Sequence, residues 1–308
     1  MEEITMKSIN LDTFDGKIMH VSVWDEVENK LGAVVISHGM SEHTERYDDF
    51  AKFLNKEGYI VLAEDHRGHK YNSAGEKGVV DGDSFNQTVE DIKTVVEYTK
   101  ATYAVDVVLL GHSYGSFLSQ RFLELYSDKV RACVLSGTAY MRNPLVGVGK
   151  VIANVQKVLC GAEKTGYLID KMSFGAYNKP FEAQGQQFAW LSRDKEQVAK
   201  YEADEYCGYP LSIGFYASFF DAIMSMYEDD AKNIRKDIPI FIAVGSDDPV
   251  SNKAALAKKL YNFYTQLGID GTEIKIYEGA RHEILNETNR AEVYADMLAF
   301  IEKQFIHD

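Results

Sequence analysis

Short apolar runs recur along the chain, and each ends in a loop of glycine and polar residues. In the first half of the chain these runs cover residues 33–37, 59–63, 107–110 and 132–136. They lack the alternation of apolar and polar positions that marks a half-exposed strand, which is typical of strands buried on both faces of a sheet. The pattern therefore predicts a series of interior strands before residue 137.

Amphipathic segments separate these apolar runs. Tyr47, Phe50, Phe53 and Leu54 keep a helical period within residues 42–58, and similar spacing marks residues 85–103 and 117–126. Alternation of strands with helices is the signature of βαβ units and of a parallel sheet. We therefore expect the α/β fold class, with a mainly parallel sheet and helices on both of its faces.

Both ends of the chain extend this predicted sheet. Residues 4–14 and 17–24 flank Asp15-Gly16, a strong signal for a hairpin turn, so the chain is expected to open with an antiparallel pair. Near the end, the pattern predicts strands at residues 238–244 and 273–277 and helices at residues 254–267 and 291–305.

Residues 138–235 interrupt the alternation of strands and helices. They contain no convincing buried strand, and two apolar stripes at helical spacing stand out within them. The first stripe comprises Val148, Val151, Ile152, Val155, Val158 and Leu159, and the second comprises Phe215, Phe219, Ala222, Ile223 and Met226. We expect a helical cap at residues 138–235, inserted between two parts of one core at residues 1–137 and 236–308.

The composition narrows the classes of function. Of the 308 residues, 45% are hydrophobic and 26% are charged, and the formal net charge is −14. Because lysine and arginine form no cluster, this charge argues against binding to nucleic acid. The three cysteines lack metal-ligand spacing, and neither a signal-peptide pattern nor a run of about 18 apolar residues is visible. We therefore expect a cytoplasmic protein.

The strongest chemical signal lies where the strand predicted at residues 107–110 meets a helix. The connection reads Gly111-His112-Ser113-Tyr114-Gly115. A G-x-S-x-G turn between strand and helix presents its serine at a sharp bend, where glycines let neighbouring backbone approach closely. The N-terminus of the helix also favours negative charge beside the serine. We predict that Ser113 is a nucleophile.

A nucleophilic serine needs a histidine base and an acid that orients the histidine. In parallel α/β sheets such groups gather beyond the carboxyl ends of the strands. His282 follows the last predicted strand and comes after the serine, in the order serine, acid, histidine. Asp247 and Asp248 both follow the strand predicted at residues 238–244. Position alone leaves both open as the acid, since the other one would cap the next helix or bond the turn.

Acyl transfer also requires two N–H donors for the developing oxyanion. Tyr114 directly follows the nucleophile and is predicted to supply the first donor. The second is expected from the loop after an earlier strand, where His38-Gly39-Met40 lies. Because Gly39 permits close approach of the backbone, the N–H of Met40 is our second candidate.

Several short motifs resemble those of one enzyme family. Residues 38–47 resemble its H-G-x-x-E-H-x-x-R-Y segment, residues 65–69 its D-x-R-G-H loop, and residues 111–115 its G-H-S-x-G elbow. Residues 245–248 and 279–282 are similar to its acid motif, G-S-x-D, and to its closing histidine motif. The family is the α/β-hydrolase superfamily, in particular the monoacylglycerol lipase and lysophospholipase-like branch, also called serine aminopeptidase S33. The resemblance assigns the acid to Asp248.

The resemblance implies a serine hydrolase of carboxylic esters that needs no metal or organic cofactor. Its small-molecule substrate would be an acyl ester of the monoacylglycerol or lysophospholipid kind. An aminopeptidase or amidase of the same fold is the alternative, with candidate amine-binding carboxylates at Glu182, Glu202, Asp204 and Glu205. A hydrolase fold that only binds a ligand is disfavoured, because every catalytic role has a candidate residue.

Two further expectations follow from the resemblance. Lys70-Tyr71-Asn72 stands where the family usually has glycine and serine, so this loop is expected to have a different shape. Lids of the family contact membranes, which gives the apolar stripe at residues 148–159 two interpretations. We favour packing of the stripe against the core over transient membrane contact, because the segment has neither a tryptophan nor a dense basic face.

Overall fold

A single eight-stranded sheet forms the centre of the protein in a computed structural model, which describes residues 5–73 and 75–305. Its strands are β1 (Lys7–Asp12), β2 (Ile18–Trp24), β3 (Gly32–Ser37), β4 (Tyr59–Glu64), β5 (Val107–His112), β6 (Ala132–Ser136), β7 (Ile240–Gly245) and β8 (Thr272–Tyr277). Their order across the sheet is β1-β2-β4-β3-β5-β6-β7-β8. Strand β2 is antiparallel to β1 and β4, and all other neighbours are parallel. The mainly parallel sheet confirms the predicted fold class.

Helices connect the strands much as the periodicity predicts. Their bounds are α1 (Asp48–Lys56), α2 (Ser84–Tyr103), α3 (Tyr114–Tyr126), α4 (Pro144–Cys160), α5 (Tyr167–Phe174), α6 (Lys195–Ala203), α7 (Ile213–Ser225), α8 (Ala255–Gln266) and α9 (Arg290–Phe305). The helix expected within residues 42–58 starts later than predicted, at Asp48. Residues before it form a loop and the 3-10 turn Thr44–Tyr47, because their side chains are used in buried contacts described below.

Alternate residues of each interior strand enter two separate hydrophobic cores. In β3, Val35 packs on the side covered by α2, α3 and α8, whereas Val34 and Ile36 pack on the side covered by α1 and α9. This division follows from the twofold periodicity of a strand that has helices on both faces. It confirms that helices cover both faces of the sheet.

The predicted opening hairpin is also present. Strands β1 and β2 pair from Lys7 with Val23 to Asp12 with Ile18, and the turn between them contains Gly16 at φ +78°. Ile4, at the start of the predicted strand, lies outside the described residues. In the part of the chain that is described, no helix combines the length and apolar character needed to cross a bilayer.

Helices α4 to α7 lie between β6 and β7, in the segment predicted as a cap. Polar residues start three of these helices. The side chain of Asn143 accepts a hydrogen bond from the N–H of Leu145, Asp194 accepts one from Glu196, and Ser212 accepts one from Phe215. Such N-caps satisfy amide groups that have no partner within the helix. We call residues 138–235 the cap from here on; its division from the core remains a prediction.

The predicted packing of the first apolar stripe is wrong for five of its six residues, and the sixth, Ile152, packs partly against the core. Val151, Val158 and Leu159 are 62%, 84% and 77% exposed, and Val148 and Val155 are also exposed. Helix α4 packs on α7 through a face with small side chains, where Gly149 leaves space for the ring of Phe220 and Ala153 is buried. Small residues allow the two helices to approach closely, and Val148, Val151, Val155 and Val158 face outward. The second stripe, on α7, is buried as expected.

Candidate active site

Ser113 lies at the sharp turn between β5 and α3. Its backbone φ is +52°, a conformation that non-glycine residues rarely adopt. Two glycines make the turn sterically feasible: a Cβ at Gly111 would collide with Ser119 and Gly115, and a Cβ at Gly115 would collide with the carbonyl of Ser37. The backbone N–H of Ser113 is fixed by a 3.0 Å hydrogen bond to the carbonyl of Ser136. The local sequence thus holds the serine at the carboxyl end of β5.

Three side chains from distant parts of the chain meet at this turn. The Oγ of Ser113 lies 2.8 Å from Nε2 of His282, and Nδ1 of His282 lies 3.0 Å from Oδ1 of Asp248. His282 is 1% exposed and Asp248 is fully buried. The amide of Val250 donates a further hydrogen bond of 2.9 Å to Oδ1 of Asp248. This arrangement can pass a proton from serine to histidine while a carboxylate fixes the ring.

Asp247 occupies a different environment from Asp248. Its backbone N–H bonds to the carbonyl of Ala280, while its side chain is only half-buried and carries no hydrogen bond to His282 within the described residues. Asp248 is therefore the aspartate that contacts the histidine. The choice depends on the loop after β7, which turns the second aspartate inward.

The electrostatics of the two neighbouring histidines differ. Burial alone would lower the pKa of His282, but the charge of Asp248 and the hydrogen bond to it outweigh burial, so the pKa is raised above its usual value. For His112, burial and the proximity of His282 lower the pKa to about 4. His112 is therefore neutral near pH 7, and its Nδ1 lies 3.3 Å from the hydroxyl of Ser136. His282 is the histidine with the properties of a base.

The two predicted oxyanion donors lie on either side of Ser113. Tyr114 is the first residue of α3. The loop after β3 passes so close to Ser113 that a Cβ added to Gly39 would lie 3.3 Å from the Cβ of Ser113. Met40 follows Gly39 in this loop. Neither the Met40 nor the Tyr114 amide is paired with another residue of the described chain. Neither amide therefore has a competing partner among the described residues, and both stay candidates for the oxyanion hole.

A buried charge network supports the loop that contains Met40, and the sequence did not reveal it. Glu42 accepts hydrogen bonds from the Gly39 amide and the Tyr47 hydroxyl, and it also binds Arg46. Arg46 reaches across to Glu283, the residue after His282, through two hydrogen bonds of 2.7 Å. Glu42 and Arg46 stand in the motif quoted above, but nothing in their spacing indicates that Glu283 joins them.

Three buried histidines also hold the loop that contains Met40. Nδ1 of His38 lies 2.7 Å from the Gly39 carbonyl, the amide of Ser41 donates to Nε2 of His69, and the ring of His66 stacks on that of His38. Burial lowers the pKa of His38 well below its usual value and that of His69 to about 3, with nearby histidines adding to both effects. Both rings are therefore neutral and act as fixed hydrogen-bonding groups.

The loop whose sequence departs from the family pattern is tied to the sheet. Lys70 has φ +34°, and Lys70–Asn72 forms a 3-10 turn. The Asn72 side chain accepts a 2.8 Å hydrogen bond from the amide of His20 on β2, which ties the turn to the sheet. The loop is thus held by contacts of its own residues, and a shape different from that of the family stays a prediction.

One group of side chains near this loop has the composition of a metal site. Potential ligand atoms of His43, Asp204 and Cys207 lie within 4.8 Å of one another. However, both ring nitrogens of His43 already face partners: the ammonium of Lys70 lies 3.2 Å from Nδ1, and Oδ2 of Asp204 lies 2.8 Å from Nε2. A positive charge this close also opposes the binding of a cation. The group is organised as a hydrogen-bonded link between cap and core.

Cap residues cover the histidine of the site. The ring of Trp190 lies 5.1 Å from that of His282, measured between centroids, and Tyr177 packs against Trp190. On the other side, Phe215 and Phe219 of α7 contact the ring of Tyr114. Aromatic side chains of the cap therefore pack on His282 and on Tyr114, two neighbours of Ser113.

Comparison with known proteins agrees with this geometry. Residues 28–289 match the family described as serine aminopeptidase S33. The monoacylglycerol lipase of Mycolicibacterium smegmatis is 29% identical over 284 residues, which cover 91% of each chain. The monoglyceride lipase of Mus musculus is 27% identical over 275 residues, covering 89% of this chain and 82% of the mouse protein.

Solved structures with the same fold include two ester-cleaving enzymes. A thermostable carboxyl esterase from Bacillus coagulans, solved with glycerol, has a TM-score of 0.90 at 23% identity and covers 99% of this chain and 100% of its own. A soluble variant of the monoglyceride lipase of Saccharomyces cerevisiae, solved with a substrate analog, has a TM-score of 0.78 at 21% identity and covers 100% and 97%. With the family match extending over most of its length, the chain belongs to the serine aminopeptidase S33 family and has the α/β-hydrolase fold.

Proposed function

We propose that this protein is a carboxylic ester hydrolase that works through Ser113, His282 and Asp248. The observation that carries the proposal is the continuous hydrogen-bonded chain from Ser113 Oγ through both nitrogens of His282 to Asp248, with distances of 2.8 and 3.0 Å. The names of its lipase relatives support ester cleavage as the reaction.

In the first half-reaction, Ser113 Oγ attacks the ester carbonyl carbon while His282 Nε2 accepts the serine proton. The carbonyl oxygen becomes an oxyanion and is bound by the N–H groups of Met40 and Tyr114, each worth about two to three powers of ten in rate. When the tetrahedral intermediate collapses, His282 returns the proton to the leaving alcohol. An acyl group then remains on Ser113.

In the second half-reaction, water replaces the alcohol. His282 accepts a proton from the water, the hydroxide attacks the acyl carbon, and the histidine protonates Ser113 as the carboxylic acid leaves. Asp248 accepts the Nδ1–H bond throughout, which fixes the tautomer and stabilises the imidazolium that forms twice in each cycle. The raised pKa of His282 is consistent with this support.

We infer that the substrates are acyl esters of glycerol or of similar small alcohols, such as monoacylglycerols and lysophospholipids. The aromatic side chains of the cap that pack on His282 and Tyr114 favour an acyl chain over a charged group as the ligand. The names of the lipase relatives point to monoacylglycerols within this class. A cytoplasmic location stays a prediction.

The aminopeptidase alternative has less support, because most of the candidate carboxylates have other partners. Glu202 accepts a hydrogen bond from the amide of Phe188, Asp204 pairs with His43, and Glu205 pairs with Lys77 at the surface. An amine-binding site needs a carboxylate that is directed towards the substrate. None of these three contacts points to such a role.

We further infer that the exposed face of α4 meets a lipid surface. Apolar side chains on α4 and α5 form one exposed set: Leu145, Val148, Val151, Val155, Val158, Leu159, Tyr167, Leu168 and Met172. Lys150, Lys157, Lys164 and Lys171 lie in the same segment beside only two acidic residues, although the whole chain has a net charge of −14. Apolar residues with basic neighbours are typical of helices that lie on anionic membranes.

Replacement of the nucleophile tests the proposed reaction. We expect Ser113→Ala to abolish both fluorophosphonate labelling and hydrolysis of a chromogenic ester, while circular dichroism and the unfolding midpoint stay close to wild type. Ser116→Ala is the matched control, because this neighbouring serine bonds to Thr138 and the Ser113 carbonyl instead of His282. Full labelling of the Ser113→Ala protein would refute the proposal.

A substrate panel tests the proposed chemical class. Monoacylglycerols and lysophospholipids of several chain lengths are compared with aminoacyl amides at equal concentration. We expect kcat/KM to be highest for the acyl esters. Faster cleavage of the aminoacyl amides would favour the peptidase alternative.

A further inference from the structure

Ser41 directly follows the proposed oxyanion donor Met40 and has an unusual backbone conformation. Its φ is +53°, which places a non-glycine residue in the left-handed region. Such a conformation persists only where surrounding contacts determine it. The residue is also buried, with 9% of its surface exposed. The contacts that hold Ser41 therefore also control the direction of the chain at Met40.

Every polar atom of Ser41 has a partner, and most of these partners belong to the cap. Its carbonyl accepts hydrogen bonds from the hydroxyl of Tyr201 at 3.1 Å and from the amide of Gly208 at 2.9 Å. Its hydroxyl donates to the carbonyl of Tyr209 at 2.7 Å. Only its amide is held by the core, through a 3.0 Å bond to Nε2 of His69.

The cap segment that makes these contacts is itself firmly held. The ring of Tyr201 packs edge-on against Phe188, and the guanidinium of Arg46 lies 4.7 Å from its centre. Gly208 has φ +68°, and a Cβ there would lie 2.7 Å from Phe188. The segment therefore has little freedom to move independently of the Tyr201 ring.

We propose that residues 201–209 of the cap position the oxyanion hole, with Ser41 and Tyr201 as the positioning residues. The cap would then influence the rate of the chemical step as well as access to the site. The proposal rests on the function proposed above, because it concerns the Met40 amide as an oxyanion donor. Its physical basis is that an oxyanion donor displaced by a fraction of an ångström loses much of its effect.

Two regions of the cap should differ in their effect on the chemical step. The 201–209 segment is bonded to the core beside the reacting atoms, whereas the α4 face lies exposed at the surface. A change in the first region should alter transition-state stabilisation, and a change in the second should not. This difference can be measured with soluble substrates.

Tyr201→Phe is the most selective variant, because it removes only the hydroxyl that binds the Ser41 carbonyl. With a soluble short-chain ester we expect kcat to fall about 3- to 10-fold at unchanged KM, as for the loss of one neutral hydrogen bond. The inhibition constant of a trifluoromethyl ketone, whose adduct with Ser113 carries an oxyanion, should rise by the same factor. A residue with a merely structural role would not make these two quantities change together.

Tyr216→Phe is the matched control. Tyr216 is another buried cap tyrosine, but its hydroxyl donates to Asp170 within the cap at 2.8 Å. We expect this variant to keep the wild-type kcat and the wild-type affinity for the ketone. Ser41→Ala, which removes the hydroxyl that bonds Tyr209, should behave like Tyr201→Phe and serves as the second variant if the latter does not fold.

The outcomes separate this proposal from the proposed function. If fluorophosphonate labels Ser113 in wild type and kcat is unchanged in both Tyr201→Phe and Ser41→Ala, the positioning role is refuted and the hydrolase function stands. A rise in KM with constant kcat would also refute it, because the cap segment would then act on substrate binding. If wild type is not labelled at Ser113, the proposed function fails and this proposal fails with it.

Discussion

Arg46 and Glu283 form a salt bridge with two hydrogen bonds of 2.7 Å, although they are 237 positions apart in the sequence. The pair joins the loop that contains Met40 to the loop that contains His282. Both side chains are almost completely buried. Since a buried charge is costly without its partner, the pair links the two loops and also creates a strong dependence of each residue on the other.

We expect Glu283→Gln to destabilise the protein by about 1–3 kcal/mol, because Arg46 loses one of its two buried anionic partners and keeps Glu42. Chemical denaturation monitored by circular dichroism measures this change. Lys232→Ala is the control, since its pair with Asp229 lies at the surface and should leave the unfolding midpoint near wild type. Equal effects of the two substitutions would contradict the importance assigned to the buried pair.

The same pair should make the free energy of unfolding depend on pH in the acidic range. Burial raises the pKa of Glu283, but Arg46 outweighs burial and lowers the pKa from 4.5 to about 2. A carboxyl with a lowered pKa in the folded state stabilises the protein above its unfolded pKa, and this contribution is lost as the pH falls from about 4.5 to about 2. Glu283→Gln should therefore lose less stability than wild type over this range. Parallel acid titrations of unfolding provide the measurement.

The two adjacent aspartates should differ strongly in their effect on rate. Asp248→Asn removes the carboxylate that bonds Nδ1 of His282, and we expect kcat to fall about 10⁴-fold. Asp247→Asn should have a much smaller effect, because that side chain does not contact the histidine. Steady-state hydrolysis of a chromogenic ester compares the pair. The reverse order of effects would assign the acid role to Asp247.

The pH dependence of kcat/KM should follow the titration of His282. The proposed base is active only when neutral, so activity rises with pH through its pKa. Because Asp248 raises this pKa above 6.5, the midpoint of the rising limb is expected above pH 6.5. In Asp248→Asn the residual activity should have a midpoint at lower pH. A midpoint that does not move would show that another group controls the limb.

The exposed α4 face should control binding to vesicles. We expect Val158→Asp/Leu159→Asp to lower the affinity for vesicles of phosphatidylcholine and phosphatidylglycerol at least about tenfold, because apolar area is lost and negative charge is added. Hydrolysis of a soluble short-chain ester should be unchanged. Sedimentation of vesicles measures the bound fraction.

Asn29→Asp/Asn262→Asp provides the charge control for this experiment, because both asparagines are exposed and lie outside the cap. It should bind vesicles nearly as well as wild type. If the α4 variant instead dissociates a dimer in analytical ultracentrifugation and binds vesicles normally, the face is an interface between two copies.

Much of the fold follows from local sequence patterns. The short apolar runs predict the interior strands because a strand covered on both faces requires apolar residues at every position. Ser113 is identifiable for a local reason as well, since the serine, its glycines, the preceding strand and the following helix are contiguous in the chain. Periodicity nevertheless placed the start of α1 too early, because Glu42 and Arg46 are used in tertiary contacts.

Other features were decided only by the tertiary structure. Periodicity identifies an apolar stripe on α4 but not the direction it faces, and that direction depends on how Gly149 and Ala153 fit against α7. The residues alone leave Asp247 and Asp248 as equal candidates, and the fold of the loop after β7 determines which one contacts His282. The contacts of Ser41 with the cap and of Arg46 with Glu283 join residues far apart in sequence. The sequence by itself therefore determined the order of elements and the serine turn, whereas the long-range contacts around that serine depend on how the completed layers pack together.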